Sequence, residues 1–168
     1  EYHMHGLSIK SDSGGTWDWE ANASRFNQNE DVTRASSGNF GTTPSTDATA
    51  GTITFADGTG WRNFDLRGVW RPDGNLKSQH QVSFGFHADT YKTKTDAYTL
   101  GVGSWLTSAA GALKTNSRGE TETQALYLQD AWQLAPAWKL VAGGRMENWK
   151  ASNGSNYVNT TGNVTYQD

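Results

Sequence analysis

The sequence contains no cysteine and only 3 prolines in 168 residues. Without thiols there is neither a disulfide framework nor a thiolate metal site. No apolar run approaches the ~18 residues of a membrane helix. That excludes helical spans and leaves barrel strands open. Charge is sparse, at 18% of residues with a net of -3, and no five like charges follow one another. A pI of about 5.8 speaks against a nucleic-acid partner. Hydrophobic residues make up only 35% and mean hydropathy is -0.73, too little for a thick core buried on both sides. The opening Glu1-Tyr2-His3-Met4 has neither the basic start nor the apolar run of a signal peptide. Its first residues already read as strand, so the chain reads as an excerpt of a longer exported protein.

Aromatic residues, by contrast, reach 12%, with 8 Trp, beside 19 Gly. Disordered chains lack aromatics, so this polar chain is not one of them. A transmembrane barrel wall reconciles the two properties. It needs one apolar face limited to a belt of ~25 Å, while its lumen and loops are polar.

The segment Thr121–Arg145 carries this pattern most clearly. Leu126, Leu128, Trp132 and Leu134 alternate with Ala125, Tyr127, Gln129, Ala131 and Gln133. After a turn at Pro136, Trp138, Leu140, Ala142 and Met146 alternate with Lys139, Gly143, Arg145 and Glu147. Successive strand residues point to opposite faces, so one face is apolar and one polar. Trp132 and Trp138 flank the turn, as aromatics do at the end of an apolar belt.

Six segments show strand character: Tyr2–Ser11, Thr16–Asp31, Trp61–Arg71, Ser78 to Tyr98, and the two strands of the hairpin. Turn signals lie at Ser13-Gly14-Gly15, Pro72-Asp73-Gly74-Asn75 and Pro136. Polar stretches at Ala35–Gly60, Gly101–Gly119 and beyond Lys150 read as long loops by composition, with a small strand allowed at Gly51–Ala56. Trp105–Leu113 is the one weak helical candidate. The fold class expected is all-β: an antiparallel up-and-down meander of about six long strands, part of a transmembrane β-barrel. Short turns alternate with long connections, the asymmetry of outer-membrane barrels, whose periplasmic turns are short. The turns near Gly14, Asp73 and Pro136 then face the periplasm. Trp17, Trp19, Trp70, Trp132 and Trp138 all lie near them and form an aromatic girdle. The lipid face is expected to hold Leu7, Ile9, Ala21, Phe64, Leu66, Val82, Phe84, Phe86, Leu126, Leu128, Leu134, Leu140 and Ala142 with three of these tryptophans, Trp17, Trp19 and Trp70. A soluble β-sandwich with the tryptophans in its core is the alternative.

Tyr127–Asp130 (YLQD), the turn, and Gly143–Arg145 (GGR) resemble the barrel of TonB-dependent outer-membrane receptors. These are barrels of about 22 strands. The resemblance covers the chain as a piece of barrel. It implies an outer-membrane receptor that imports a scarce nutrient, such as a ferric siderophore, and is energised by TonB. It also implies that residues 1–168 are a partial barrel, with the plug domain, the TonB-contacting segment and the C-terminal strands outside them. Implied partners are outer-membrane lipid, the receptor's own plug, TonB and a metal-chelate ligand. A passive porin-like channel has a similar wall.

No catalytic constellation is legible, and no cofactor or metal is called for. His3 and His5 share a strand face with Leu7 and Ile9, so a solvated pair is the plain reading and a metal site the sharper one. Asp18, Glu20, Asp65, Arg67, His87, Asp89, Arg145 and Glu147 alternate against the apolar face and should point into the lumen. There they are either a hydrated wall with cross-strand charge pairs or contacts for the plug that the resemblance implies. Ligand contact should come from the long connections at Asn39–Gly60 and Gly101–Arg118, because loops on a rigid wall usually carry recognition. Trp105 and Arg118 are the first candidates, since an aromatic face and a guanidinium suit an anionic or aromatic chelate. Packing of both within their own loop is the plain alternative.

Overall fold

A computed structural model describes residues 1–37, 50–100, 103–160 and 162–166. The strands are β1 (Tyr2–Ser11), β2 (Trp17–Gln28), β3 (Val32–Ser36), β4 (Gly51–Phe55), β5 (Gly60–Trp70), β6 (His80–Leu100), β7 (Ala110–Ala135), β8 (Trp138–Val158) and β9 (Gly162–Tyr166). All belong to one antiparallel sheet in the order β1-β2-β5-β6-β7-β8-β9, with β3 on β4 and β4 on the far end of β6. No second layer covers it among the described residues. The expected meander therefore stands, and the sandwich does not.

Three connections lie at one end: 12–16, 71–79 and the two-residue turn 136–137. β6, β7 and β8 run 21, 26 and 21 residues, whereas a membrane crossing needs only ~9–11. The surplus stands beyond the apolar belt at the opposite end, where β3 and β4 also lie.

Four expectations from composition are corrected there. The connection read as Gly101–Gly119 ends at 109, because β7 starts at Ala110. The chain beyond Lys150 continues as strand to Val158 and returns as β9. The stretch before Gly60 contains both β3 and β4, although 38–49 lie outside the described residues, as do 101 and 102. Trp105–Leu113 is a turn at 105–107 and then strand. The cause is common to all four. Above the belt both sheet faces are wet, so alternation vanishes while backbone pairing persists. Residues 115–118 and 120–123 keep pairing with both β6 and β8.

Close packing between strands relies on two small residues. A Cβ on Gly68 would lie 2.5 Å from the Phe84 ring, so that ring lies over the opposite backbone. A Cβ on Gly85 would lie 2.4 Å from the Leu66 carbonyl oxygen and 2.5 Å from the Tyr127 hydroxyl. Gly85→Ala is therefore expected to cost the barrel ~1–3 kcal/mol, as overpacking does. Chemical unfolding of the lipid-embedded protein would test this, and an unchanged midpoint would contradict it.

Candidate functional site

Residues directly opposite on neighbouring strands share a face, so the register sorts every side chain. One row runs Ile9, Ala21, Leu66, Phe86, Leu126, Met146. The next row toward the short turns runs Ser11, Trp19, Gly68, Phe84, Leu128, Gly144, and the one after it Trp17, Trp70, Val82, Asp130, Ala142. All five tryptophans of the expected girdle lie on this face, at or near the short-turn end. Trp17 stacks on Trp70 at 6.1 Å, Trp132 lies opposite Leu140, and Trp138 opposite Ala135. The face is bare: Leu126 is 62% exposed and Met146 81%. Buried apolar side chains are confined to Ile53, Ala97, Leu100 and Ala125 among the described residues, and none of them lies in these rows.

The opposite face carries all eight predicted polar residues. Glu20, Arg67, Gly85, Tyr127 and Arg145 form one row, and Asn22, Asp65, His87, Ala125 and Glu147 the next. Asp89 follows beyond Asn63, and Asp18 lies toward the short turns opposite Val69. His87 bridges two carboxylates, with Nδ1 2.7 Å from Asp65 and Nε2 3.0 Å from Asp89. Arg145 donates Nε to Glu147 at 2.9 Å. Asn22 donates to Glu20 at 3.1 Å. Most polar pairs thus run along a strand, between residues two apart, as well as across strands.

Asp18 forms the strongest clasp. Its carboxylate accepts from Arg71 Nη1 at 2.6 Å, the Ser13 amide at 2.6 Å and the Gly14 amide at 3.1 Å. Both charged side chains are nearly buried. Gly14 adopts φ 67°, a left-handed conformation that glycine takes without steric cost. Arg71 also donates to the Gly15 carbonyl, so turn 12–16 is tied to the end of β5. Asp18→Ala strands the guanidinium and two amides and is expected to lower the denaturation midpoint more than Glu20→Ala. Tryptophan fluorescence during unfolding would show it, and equal midpoints would contradict it. In the neighbouring turn, the Gln79 amide and the Ser78 hydroxyl hold the Asp73 carboxyl below its usual range.

Two features escaped the alternation argument. Asp130 sits on the apolar face, opposite Val82 and Ala142. It is 2.7 Å from His80 Nδ1, and the His80 ring stacks on Trp132 at 5.2 Å. The second is aromatic. Phe26, Trp61 and Tyr91 lie in register on the polar face, and Phe26 stacks on Tyr2 and on Trp61, each at 6.2 Å. Extending the period of two from Asp18 to Phe26 and from Asp65 to Trp61 would have found this ladder.

Beyond the belt, Arg34 Nη1 donates to the carbonyls of Trp105 at 3.2 Å and Ser108 at 2.8 Å. This ties 103–109 to β3. Arg118 Nη2 donates to Asp96 at 3.1 Å. Arg118 lies opposite Lys94 on the apolar-face side of the sheet. Asn153 and then Lys92 hold the Glu120 carboxyl below its usual range. His3 and His5 continue the apolar face toward the far end, opposite Asn27 and Arg25, and His3 Nε2 lies 2.7 Å from Glu1.

A wall apolar on one face and polar on the other, girdled by tryptophan at its short-turn end, matches one known family along its whole length. The profile described as TonB dependent receptor-like, beta-barrel matches residues 1–168. Neither a curated protein nor a solved structure gives a significant match. The chain belongs to the TonB-dependent receptor β-barrel family, the transport receptors of the Gram-negative outer membrane.

Proposed function

We propose that residues 1–168 are a six-strand stretch of wall in an active transport receptor for a scarce nutrient, with a ferric siderophore as the leading ligand class. The observation that carries this reading is the two-faced sheet within a family-wide match. The apolar face meets lipid, and the tryptophans near the short turns anchor the periplasmic interface. The row of Glu20, Arg67 and Arg145 and the Asp65–His87–Asp89 bridge face the lumen, where they hold a plug encoded outside these residues. TonB pulls on that plug to open a path. The far-end connections, including Trp105, face the medium and contact the ligand. Arg118 reaches it only by exchanging its bond to Asp96, so Trp105 is the first residue to test.

The test uses cells lacking the receptor, complemented with the full-length gene. Ferric-chelate uptake should stop when TonB is removed and weaken when residues 103–109 are deleted. Uptake indifferent to TonB would replace active transport with a passive porin-like channel. Uptake and binding untouched by the deletion would remove the ligand role of that loop.

A further inference from the structure

From the short turns up to the row Leu7, Ala23, Phe64, Ala88, Asp130 is the one carboxylate on the apolar face among the described strand residues. No lysine or arginine of those strands shares this stretch of the face. An ionisable side chain at a lipid-facing position costs energy unless it is paired, and is a functional-site candidate for that reason. His80 supplies one contact, with Nδ1 2.7 Å from Asp130 Oδ2. Asp130 Oδ1 is covered and has no hydrogen-bond partner. The side chain is still 36% exposed, so Oδ2 is the oxygen that a donor from outside reaches.

Asp130 lies in the row of Trp17 and Trp70, at the height of the girdle. On the proposed orientation, that height is the headgroup zone of the periplasmic leaflet. Toward mid-membrane the wall beside Asp130 is hollow. Ala142 and Gly144 form a low floor, and a Cβ on Gly144 would meet nothing within 4 Å. Leu126, Leu128 and Met146 stand around that floor, and the hollow measures about 780 Å³. A carboxylate at headgroup height and an apolar trough leading from it into the bilayer complement a lipid with a cationic tip. We propose that Asp130 and this trough hold a periplasmic-leaflet phospholipid with a primary-ammonium headgroup. The ammonium donates a charge-assisted hydrogen bond to Oδ2, and an acyl chain of the same lipid lies over Ala142 and Gly144.

The proposal takes its orientation from the receptor reading, and its test stands apart from transport. The full-length receptor, purified in detergent, is titrated with phosphatidylethanolamine and with phosphatidylcholine. The second keeps the positive charge but has no N–H donor. Native mass spectrometry counts what stays bound. The wild type should retain the primary-ammonium lipid roughly fivefold or more above its trimethyl counterpart. D130N should erase most of that preference, and D130E should keep part of it. E122Q, which alters a carboxylate on the same face at the far end, should change nothing. G144L fills the trough and should lower retention of both lipids. Equal retention of the two lipids by the wild type overturns the proposal, and this comparison needs no variant to fold. A preference unchanged in D130N also overturns it. Glycerophosphoethanolamine, the same headgroup without chains, bound as tightly as the lipid would overturn the role of the trough. Normal TonB-dependent uptake by a receptor without the preference would leave the transport reading intact.

Discussion

Leu126→Arg is expected to destabilise the full barrel by about 2–4 kcal/mol, the cost of a cation at mid-membrane on a lipid-facing strand. Leu126 lies in the row Ile9, Ala21, Leu66, Phe86, Met146. Among the described residues this is the one row with an apolar side chain on all six strands: the row beyond it turns polar at Gln124 and Asn148, and Asp130 lies two rows before it. That makes it the row most firmly inside the belt. Leu140 is equally apolar but pairs with Trp132 beside the short turn, so Leu140→Arg should cost only about 0–1 kcal/mol. The polar-face comparison is Gln129→Arg rather than an exchange at Gly143, where an added Cβ would lie 2.7 Å from the Leu128 carbonyl oxygen. Unfolding of the receptor in lipid vesicles gives the three values. Equal costs at Leu126 and Gln129 would show that the two faces are not lipid and lumen.

Residues 1–168 alone, expressed without detergent, are expected to aggregate. β1 pairs only with β2, and β8 has a partner on its second side only over Gly154–Val158. The remaining edges present unpaired N–H and C=O groups, which template association. Leu7, Leu66, Leu126, Leu128 and Met146 are all more than 40% exposed, and a contiguous patch of this kind is rare on soluble monomers. Lipid covers such a face in an outer-membrane barrel. Sizing chromatography and thermal unfolding would decide. A monodisperse monomer with a cooperative melt would contradict the barrel account.

The belt was legible in the sequence because lipid imposes one rule on every strand that crosses it. Alternation from Leu126 to Leu134 and from Phe64 to Trp70 fixed the faces, and the register bears this out row by row. Outside the belt that rule lapses. Lys114–Glu122 is as polar as any loop, yet it is strand because β6 and β8 supply its partners, and composition cannot report a partner. Asp130 was passed over because a carboxylate contradicts an apolar face. His80, fifty residues away, resolves that conflict through pairing no local pattern encodes. The Asp18–Arg71 clasp was hidden in the same way, since its partners meet only when β2 and β5 align.

The most direct test of the two-faced wall is nitroxide scanning along β5 in the lipid-embedded receptor. The absence of native cysteine from this segment makes each introduced label unique within it. Single cysteine replacements from Arg62 to Trp70 are labelled, and collision with molecular oxygen, which concentrates in the bilayer, is measured. Accessibility should peak at Phe64, Leu66 and Gly68 and fall at Asn63, Asp65 and Arg67, a period of two. Uniform accessibility, or peaks at Asn63, Asp65 and Arg67, would contradict the assignment of this wall to the membrane.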